Sequence, residues 1–244
     1  MDNKMRNLNE DIIARRRRRI RGYSLSRNHN NKFWRNRDRR RQLHTFYRAD
    51  LGTFWFDVEV VSNGRILRSP GLQETTSRGM STKVFRLSVR YDDSLLGWLT
   101  SFFNVPGLFG SIPWQSENYI GVDCADCLAA AWSKWRKRPL DKDWNVAGIV
   151  AAWPKVKEFD IANGAPAAEI RWASDVKPGD FIAVRYAGRR QYQHIGALYT
   201  DANKDGKLDP EDLVIHAGPE ALQISPLKGG NFDGRVAIIR AAER

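Results

Sequence analysis

The sequence predicts an α+β fold in which one buried helix precedes a run of short antiparallel strands. The stretch DCADCLAAAWSKW has the apolar spacing of a helix. After Pro178 and Gly179, the segments DFIAVRY, YQHIGALYT, DLVIHA and RVAIIRA are short, rich in β-branched and aromatic residues, and separated by polar connections. A helix followed by such a run of strands is typical of an α+β domain.

The N-terminal segment differs from the rest of the chain in its charge. Residues 1–50 contain 16 Lys and Arg against 5 Asp and Glu, a net +11 of the chain's +12, which leaves +1 for residues 51–244. Since residues 1–45 also lack hydrophobic periodicity, we expect a basic disordered tail there. Its arginine runs can contact phosphate or an anionic membrane non-specifically. A specific nucleic-acid partner is not expected, because a short basic run without a folded reader carries little specificity.

Export signals and a membrane span are not visible in the sequence. No run of about 18 apolar residues occurs, which predicts that there is no transmembrane helix. No apolar signal-peptide core follows the basic N-terminal residues. The two cysteines, Cys124 and Cys127, are too few for a disulfide framework, so they do not identify the compartment. We expect a monomer.

Before the central helix, residues 46–104 predict a small β-rich accessory region. TFWFDVEVV and KVFRLSVRY are aromatic and β-branched runs that read as strands. The apolar segment 95–114, interrupted by Pro and Gly, predicts a short helix and a packed loop. After the central helix, one more helix is expected near Val146–Val156, followed by a loop rich in Gly, Ala and Pro.

The central helix carries both cysteines. Asp123 is its predicted N-cap, with Asp126 at the third helical position. Cys124 in the first turn would lie among unpaired backbone N–H groups, which together with the helix dipole favour a thiolate. The predicted buried face comprises Cys124, Leu128, Ala131, Trp132 and Trp135. Cys127 lies roughly 75° from the centre of this face. Cys124 is therefore the better nucleophile candidate, although both cysteines could be ordinary buried residues or a reversible C-x-x-C redox pair.

The series YIGVDCADCLAAAW, DVKPGDFIAV, QHIGALYT, LVIHAG and GRVAIIR, in this order, resembles the NlpC-type papain-like cell-wall peptidases and their CHAP amidase relatives. The resemblance covers residues from about 105 to 244 and implies a papain-like thiol hydrolase domain, with a helix packed on an antiparallel sheet. It implies that Cys124 is the nucleophile, that His194 is the general base and that His216 orients His194. Asp126 and Cys127 depart from the family pattern, which has glycine and an apolar residue there.

The same resemblance implies the reaction and its setting. Cys124 would attack an amide carbonyl, and the backbone N–H of Cys124 would donate to the oxyanion, with Gln115 or Tyr119 as a second donor. The implied substrate is a peptide of bacterial peptidoglycan. That substrate, and a calcium site of the kind described next, would place the protein outside the cytoplasm, in the periplasm or secreted.

The most specific motif in the chain is a calcium loop at residues 201–212. Its predicted ligands, at positions 1, 3, 5, 7, 9 and 12 of an EF-hand loop, are Asp201, Asn203, Asp205, the Lys207 carbonyl, Asp209 and Asp212. Gly206 and Leu208 match the turn position and the apolar position. The loop lies between His194 and His216, so we expect it to connect two strands of a hairpin. A structural Ca²⁺ ion would then fix the register that brings the two histidines together.

Three other functions are compatible with the same residues. Cys124, Cys127, His194 and His216 form a candidate zinc set, although their spacing is not that of a zinc finger. A non-catalytic relative could bind the cell wall by stacking tryptophans on sugars. A same-fold acyltransferase would use the same residues as the hydrolase.

Overall fold

The computed structural model describes residues 50–56, 58–62, 65–70, 75–76, 79–218 and 220–244. The basic tail predicted over residues 1–45 lies outside these ranges. In the described part of the chain, no helix is both long enough and apolar enough to cross a membrane.

The N-terminal part contains short antiparallel strand pairs, as its aromatic runs predict. Strand β1 (Gly52–Phe56) pairs with β6 (Phe85–Val89), β2 (Glu59–Ser62) pairs with β3 (Arg65–Arg68), and β4 (Thr75–Thr76) pairs with β5 (Gly79–Met80). Strand β1 is joined to the following segment, because the backbone N–H of Thr53 donates to the Phe103 carbonyl at 2.8 Å.

Four α-helices lie in the described part of the chain: α1 (Leu95–Thr100), α2 (Pro113–Glu117), α3 (Cys124–Arg136) and α4 (Val146–Ala152). The helix predicted near Val146–Val156 was extended too far, since α4 ends at Ala152 and a strand begins at Lys155. The side chain of Asn145 caps α4 by accepting from the Gly148 N–H at 2.8 Å.

Seven strands form one antiparallel sheet. They are β7 (Lys155–Ala162), β8 (Ala165–Pro166), β9 (Phe181–Arg185), β10 (His194–Thr200), β11 (Leu213–His216), β12 (Gln223–Pro226) and β13 (Gly234–Ile239), and their spatial order is β12-β11-β10-β9-β13-β7-β8. The four strands predicted after Pro178 are confirmed, as is the α+β class. The sequence-based prediction did not include β7, β8 and β12.

Side chains alternate between the two faces of this sheet, and each face has its own apolar core. The helix-side core contains α3 together with Phe181, Ile195, Ile215 and Ile239 of the sheet. The opposite core contains Ile182, Val184, Leu198, Val214, Phe232 and Ile238. A position on β9, β10, β11 or β13 therefore determines which core its side chain joins.

Alanines allow α3 to lie close to the sheet. Ala129, Ala130 and Ala131 of the helix are fully buried, and the sheet contributes Ala183, Ala197 and Ala237 to the same core. The predicted single apolar face was therefore too narrow, because the helix is buried from Ala125 through Ser133.

The helix-side core also reaches upstream of residue 105, the predicted start of the hydrolase domain. Leu95 and Leu99 of α1, with Phe102, Phe103 and Val105 after it, belong to this core. Helix α1 packs against α3.

Candidate functional site

The N-terminus of α3 has the predicted capped geometry. Asp123 is the N-cap, and its Oδ1 atom accepts from the N–H groups of Ala125 at 3.0 Å and Asp126 at 2.9 Å. The Oγ atom of Ser111 accepts from the Asp123 N–H at 2.9 Å and donates to Asp126. Cys124 is therefore held as the first residue of the helix by the segment that precedes it.

The two cysteines differ in accessibility. Cys124 is partly buried, whereas Cys127 is fully buried in the helix-side core. The prediction that Cys127 lies toward the edge of the apolar face was wrong, because α3 is buried nearly all round at that level. Of the two cysteines, Cys124 is thus the one with solvent-exposed surface.

The predicted hairpin brings the two histidines together. Strands β10 and β11 pair with Gly196 opposite His216, so His194, two residues before Gly196, lies on the same face as His216. The Nε2 atom of His194 lies 3.1 Å from the Nδ1 atom of His216. Gly196 has no space for a side chain, since an added Cβ would be 2.9 Å from the Cβ of His216.

A third side chain extends this hydrogen-bonded pair. The Nε2 atom of His216 lies 2.8 Å from the Oγ atom of Ser225 on β12. The ring of Phe232 covers both imidazoles, with centroid distances of 5.1 Å to His194 and 5.4 Å to His216. His194 and His216 are 7% and 1% exposed, so both imidazoles are shielded from bulk water, whereas Ser225 is half-buried.

Burial decides the protonation states of the thiol and the imidazoles. Burial raises the pKa of Cys124 to about 12, the charge of Asp123 raises it too, and the backbone N–H groups of Ile195 and Ala125 oppose the rise. Burial lowers the pKa of His194 to about 4. Burial and the neighbouring His194 lower the pKa of His216 to about 3. These shifts oppose the thiolate expected from helix position and favour a neutral thiol beside two neutral imidazoles.

The sulfur of Cys124 lies at the end of the sheet where β10 begins. Its interaction with the N–H of Ile195 places it beside the residue that follows His194. Burial and the nearby Cys124 both raise the pKa of Tyr186, which follows β9 and packs on the opposite core. The backbone of Gly218, just after β11, also approaches Cys124, since a Cβ added there would be 4.0 Å from the Cys124 Cβ.

The strand pattern places His194 and Cys124 at the same end of the sheet. Ile195 belongs to the helix-side core, whereas the rings of His194 and His216 contact Phe232 in the opposite core. In the middle of the sheet, side chains on these two faces would be separated by the backbone of the strands. His194 is the first residue of β10, so its ring lies at the strand end that Cys124 also reaches. Transfer between Cys124 Sγ and the remaining ring nitrogen of His194, Nδ1, stays a prediction.

The two residues predicted as oxyanion donors have structural contacts of their own. The Oε1 atom of Gln115 accepts from the Ile112 N–H at 2.9 Å and caps α2. The hydroxyl of Tyr119 lies 3.0 Å from the Oγ atom of Ser101. Both contacts organise the segment that leads to α3. The Cys124 N–H stays the predicted first donor, and a second donor from Gln115 or Tyr119 also stays a prediction.

The loop 201–212 connects β10 to β11, as predicted, and its carboxylates are held by its own backbone. Asp201 accepts from the Lys204 and Gly206 N–H groups, Asn203 from the Asp205 N–H, and Asp205 from the Lys207 N–H. Gly206 has a φ of 79°, and Leu208 is 4% exposed, which match the turn position and the apolar position of the motif.

Asp212 is the most constrained of the predicted calcium ligands. It is fully buried, its Oδ1 accepts from the Ala202 N–H at 2.9 Å, and its Oδ2 accepts from the Asp209 N–H at 3.0 Å and the Trp172 indole at 2.8 Å. The donor set of carboxylate, amide and carbonyl oxygens fits the preference of Ca²⁺. Among the described residues, however, no three His, Cys, Asp or Glu side chains stand together as a metal-ligand group. Calcium binding stays a prediction.

The candidate zinc set is not brought together. Cys127 packs inside the helix-side core, and the two histidines direct ring nitrogens at each other. The four side chains do not form a metal-ligand group in the part of the chain that the structure describes.

No protein-family model matches this chain, and a search of curated proteins returns no match.

Sequence reasoning missed three residues beside predicted site residues: Ser225 and Trp172, which hydrogen-bond His216 and Asp212, and Gly218, which lies near Cys124. Ser225 lies in the segment QISP, which is short and ends in proline, so the sequence predicts strand β12 only weakly. Trp172 lies in a segment read as a loop. Gly218 follows His216 in the motif LVIHAG, and only its positive φ of 93° and its approach to Cys124 distinguish it.

Proposed function

We propose that this protein is a thiol hydrolase that cleaves an amide bond with Cys124 as nucleophile and His194 as general base. One observation carries the proposal: a hydrogen-bonded series runs from Ser225 through His216 to His194 at the start of β10, and the N–H of the next residue, Ile195, interacts with the partly exposed Cys124 that begins a capped helix. A nucleophile beside a base that a third group orients is the arrangement of covalent hydrolases.

The reaction begins from the neutral thiol. The Nδ1 atom of His194 takes the proton of Cys124 as the sulfur attacks the carbonyl carbon, and the N–H of Cys124 donates to the oxyanion. The C–N bond then breaks, and His194 gives its proton to the leaving amine. Water next attacks the thioester carbonyl and gives a proton to His194; the C–S bond then breaks, His194 returns the proton to the sulfur, and the carboxylic acid is released.

The peptidoglycan peptide is the substrate that fits the resemblance to NlpC-type peptidases and CHAP amidases. Its location implies that the protein works in the periplasm or after secretion. The structural Ca²⁺ ion belongs to the same proposal: Asp201, Asn203, Asp205, the Lys207 carbonyl, Asp209 and Asp212 would hold it. The ion would fix the connection between β10 and β11 and so the register of the two histidines.

The decisive experiment is digestion of purified peptidoglycan, with mass analysis of the fragments. We expect new amine and carboxyl termini with the native protein and none with Cys124→Ala or His194→Ala. Cys127→Ala is the matched control, because that sulfur is fully buried in the core, and it should retain activity. Cleavage that persists in Cys124→Ala would contradict the proposal. Adding amine acceptors separates a hydrolase, which yields the free acid, from an acyltransferase, which yields the new amide.

A further inference from the structure

Ser225 contacts the histidine pair at the end farthest from the thiol. Its Oγ atom is 2.8 Å from His216 Nε2, and His216 Nδ1 is in turn 3.1 Å from His194 Nε2. Strand pairing sets this position, since Ser225 lies opposite Val214 and thus diagonal to His216 on the same face. The register of β11 and β12 therefore places the Ser225 hydroxyl beside the imidazole of His216.

The proton arrangement in this series has two self-consistent forms. A neutral imidazole has one donor nitrogen and one acceptor nitrogen. If His216 donates from Nε2 to the Ser225 oxygen, its Nδ1 accepts from His194 Nε2–H, and His194 Nδ1 is free to accept a proton. If the Ser225 hydroxyl donates to His216 Nε2 instead, both imidazoles take the other tautomer: His216 Nδ1–H donates to His194 Nε2, and His194 carries its proton on Nδ1. Only the first form leaves His194 able to deprotonate Cys124.

We propose that Ser225 is a positioning residue whose hydroxyl oxygen accepts from His216 Nε2–H and thereby holds His194 in the tautomer that acts as a base. This inference rests on the proposed thiol chemistry for its consequence, but the tautomers themselves exist whether or not the protein is a hydrolase. Phe232 helps Ser225 to hold this tautomer, because its ring packs on both imidazoles and limits the access of water that could replace the serine oxygen.

The tautomers can be read directly by nitrogen-15 NMR of histidine-labelled full-length protein above pH 7, where both imidazoles are neutral. The chain has four histidines, so His194→Gln and His216→Gln assign the two signals. We expect His216 protonated at Nε2 and His194 protonated at Nε2 in the native protein. In Ser225→Ala the Nε2-protonated share of both rings should fall, and Ser225→Thr, which keeps the hydroxyl, should restore it.

Kinetics give a second readout. For cleavage of the proposed substrate, Ser225→Ala should lower kcat about tenfold, which is less than the roughly 10²–10⁴-fold that a positioned general base contributes, and leave KM unchanged. Ser225→Thr should recover most of the loss. A native His216 protonated at Nδ1, or unchanged tautomers in Ser225→Ala, would overturn the inference whatever the activity. A tautomer shift in a protein without hydrolase activity would support the positioning role and reject the proposed function instead.

Discussion

The Nε2 atom of His194 is 3.1 Å from the Nδ1 atom of His216, although the two residues lie on different strands and 12 residues of the predicted calcium loop stand between those strands. The contact uses one nitrogen of each ring. It leaves His194 Nδ1 on the side of the ring away from His216, and burial keeps both rings neutral. The raised pKa of Cys124 and the lowered pKa values of the two histidines favour a neutral thiol and neutral imidazoles over a resting ion pair.

The first prediction concerns alkylation of Cys124. Because burial and Asp123 raise the pKa of this thiol to about 12, the rate of labelling by iodoacetamide should rise about tenfold per pH unit from pH 7 to pH 10. Intact-mass kinetics measure this rate. Cys124→Ala should show no labelling, since Cys127 is fully buried. A plateau at neutral pH with an inflection below pH 7 would instead indicate a thiolate–imidazolium pair.

The second prediction concerns stability in acid. The pKa of His194 is lowered to about 4 and that of His216 to about 3, so the unfolded chain binds these protons first as the pH falls. Stability is present above the unfolded value of about 6.5 and is lost as the pH falls to about 4 for His194 and to about 3 for His216, by about 1.4 kcal/mol per pH unit for each imidazole. Urea unfolding of the native protein and of the double variant His194→Asn, His216→Asn should diverge over this range. Parallel curves would refute the prediction.

The third prediction concerns Asp126, which has an opposite pH dependence. Burial raises its pKa to about 7, and its Oδ1 has no hydrogen-bond partner among the described residues. Folding therefore favours the protonated acid, and stability is lost as the pH rises from about 4 to about 7, by about 1.4 kcal/mol per unit. Asp126→Asn should be more stable than the native protein at pH 8 and nearly equal to it at pH 4. Glu211→Gln, at an exposed carboxylate that is not among the charges raising the pKa of Asp126, is the control and should show no such gain.

How much could be predicted from the sequence depends on whether the deciding interaction is local. The cap at Asp123, the start of α3 at Cys124 and the hairpin carrying His194 and His216 follow from neighbouring residues, and the structure has them. Strand β7 was missed because residues 146–156 are mostly apolar, so the sequence pattern does not mark the point where the helix ends at Ala152 and the strand begins at Lys155.

The ionisation of Cys124 could not be predicted in the same way. A helix N-terminus favours the thiolate, but the number of apolar groups around the sulfur depends on which strands lie beneath α3. The burial of Cys127 also depends on tertiary packing, because small side chains of the sheet let α3 lie close to it and enclose Cys127 in the core. Ser225 is near His216 through the β11–β12 register, which short strands specify weakly in the sequence.

The fourth prediction tests the space between the histidine strands. In Gly196→Ala the new Cβ would lie 2.8 Å from Val214 Cγ1 and 2.9 Å from His216 Cβ, so β10 and β11 must separate, at a cost of about 1–3 kcal/mol. We expect lower stability and loss of the His194–His216 hydrogen bond. Gly188→Ala is the control: it has a φ of 74° and open space, so it should cost stability through backbone strain without changing the histidine NMR signals. Unchanged signals in Gly196→Ala would contradict the prediction.

The fifth prediction concerns the loop 201–212. Calcium at 100 times its dissociation constant should stabilise the protein by about 2.7 kcal/mol, seen as a higher Tm that a chelator reverses. Asp201→Asn and Asp205→Asn should weaken this shift. Glu211→Gln, which removes a charge from the same loop at a position that is not a predicted ligand, should retain it. A Tm that responds equally to magnesium, or equally in all three variants, would show that no such site forms.

The alanines between α3 and the sheet have a further consequence for how the protein can change. Ala129, Ala130 and Ala131 on the helix, and Ala183, Ala197 and Ala237 on the strands, leave room for no larger side chain without lifting the helix. Because Cys124 is the first residue of that helix, a methyl group added at one of these alanines would shift the helix and so displace Cys124. Under the proposed function, a larger residue at one of these alanines should therefore change the cleavage rate by moving Cys124, without altering the contacts of His194 or His216.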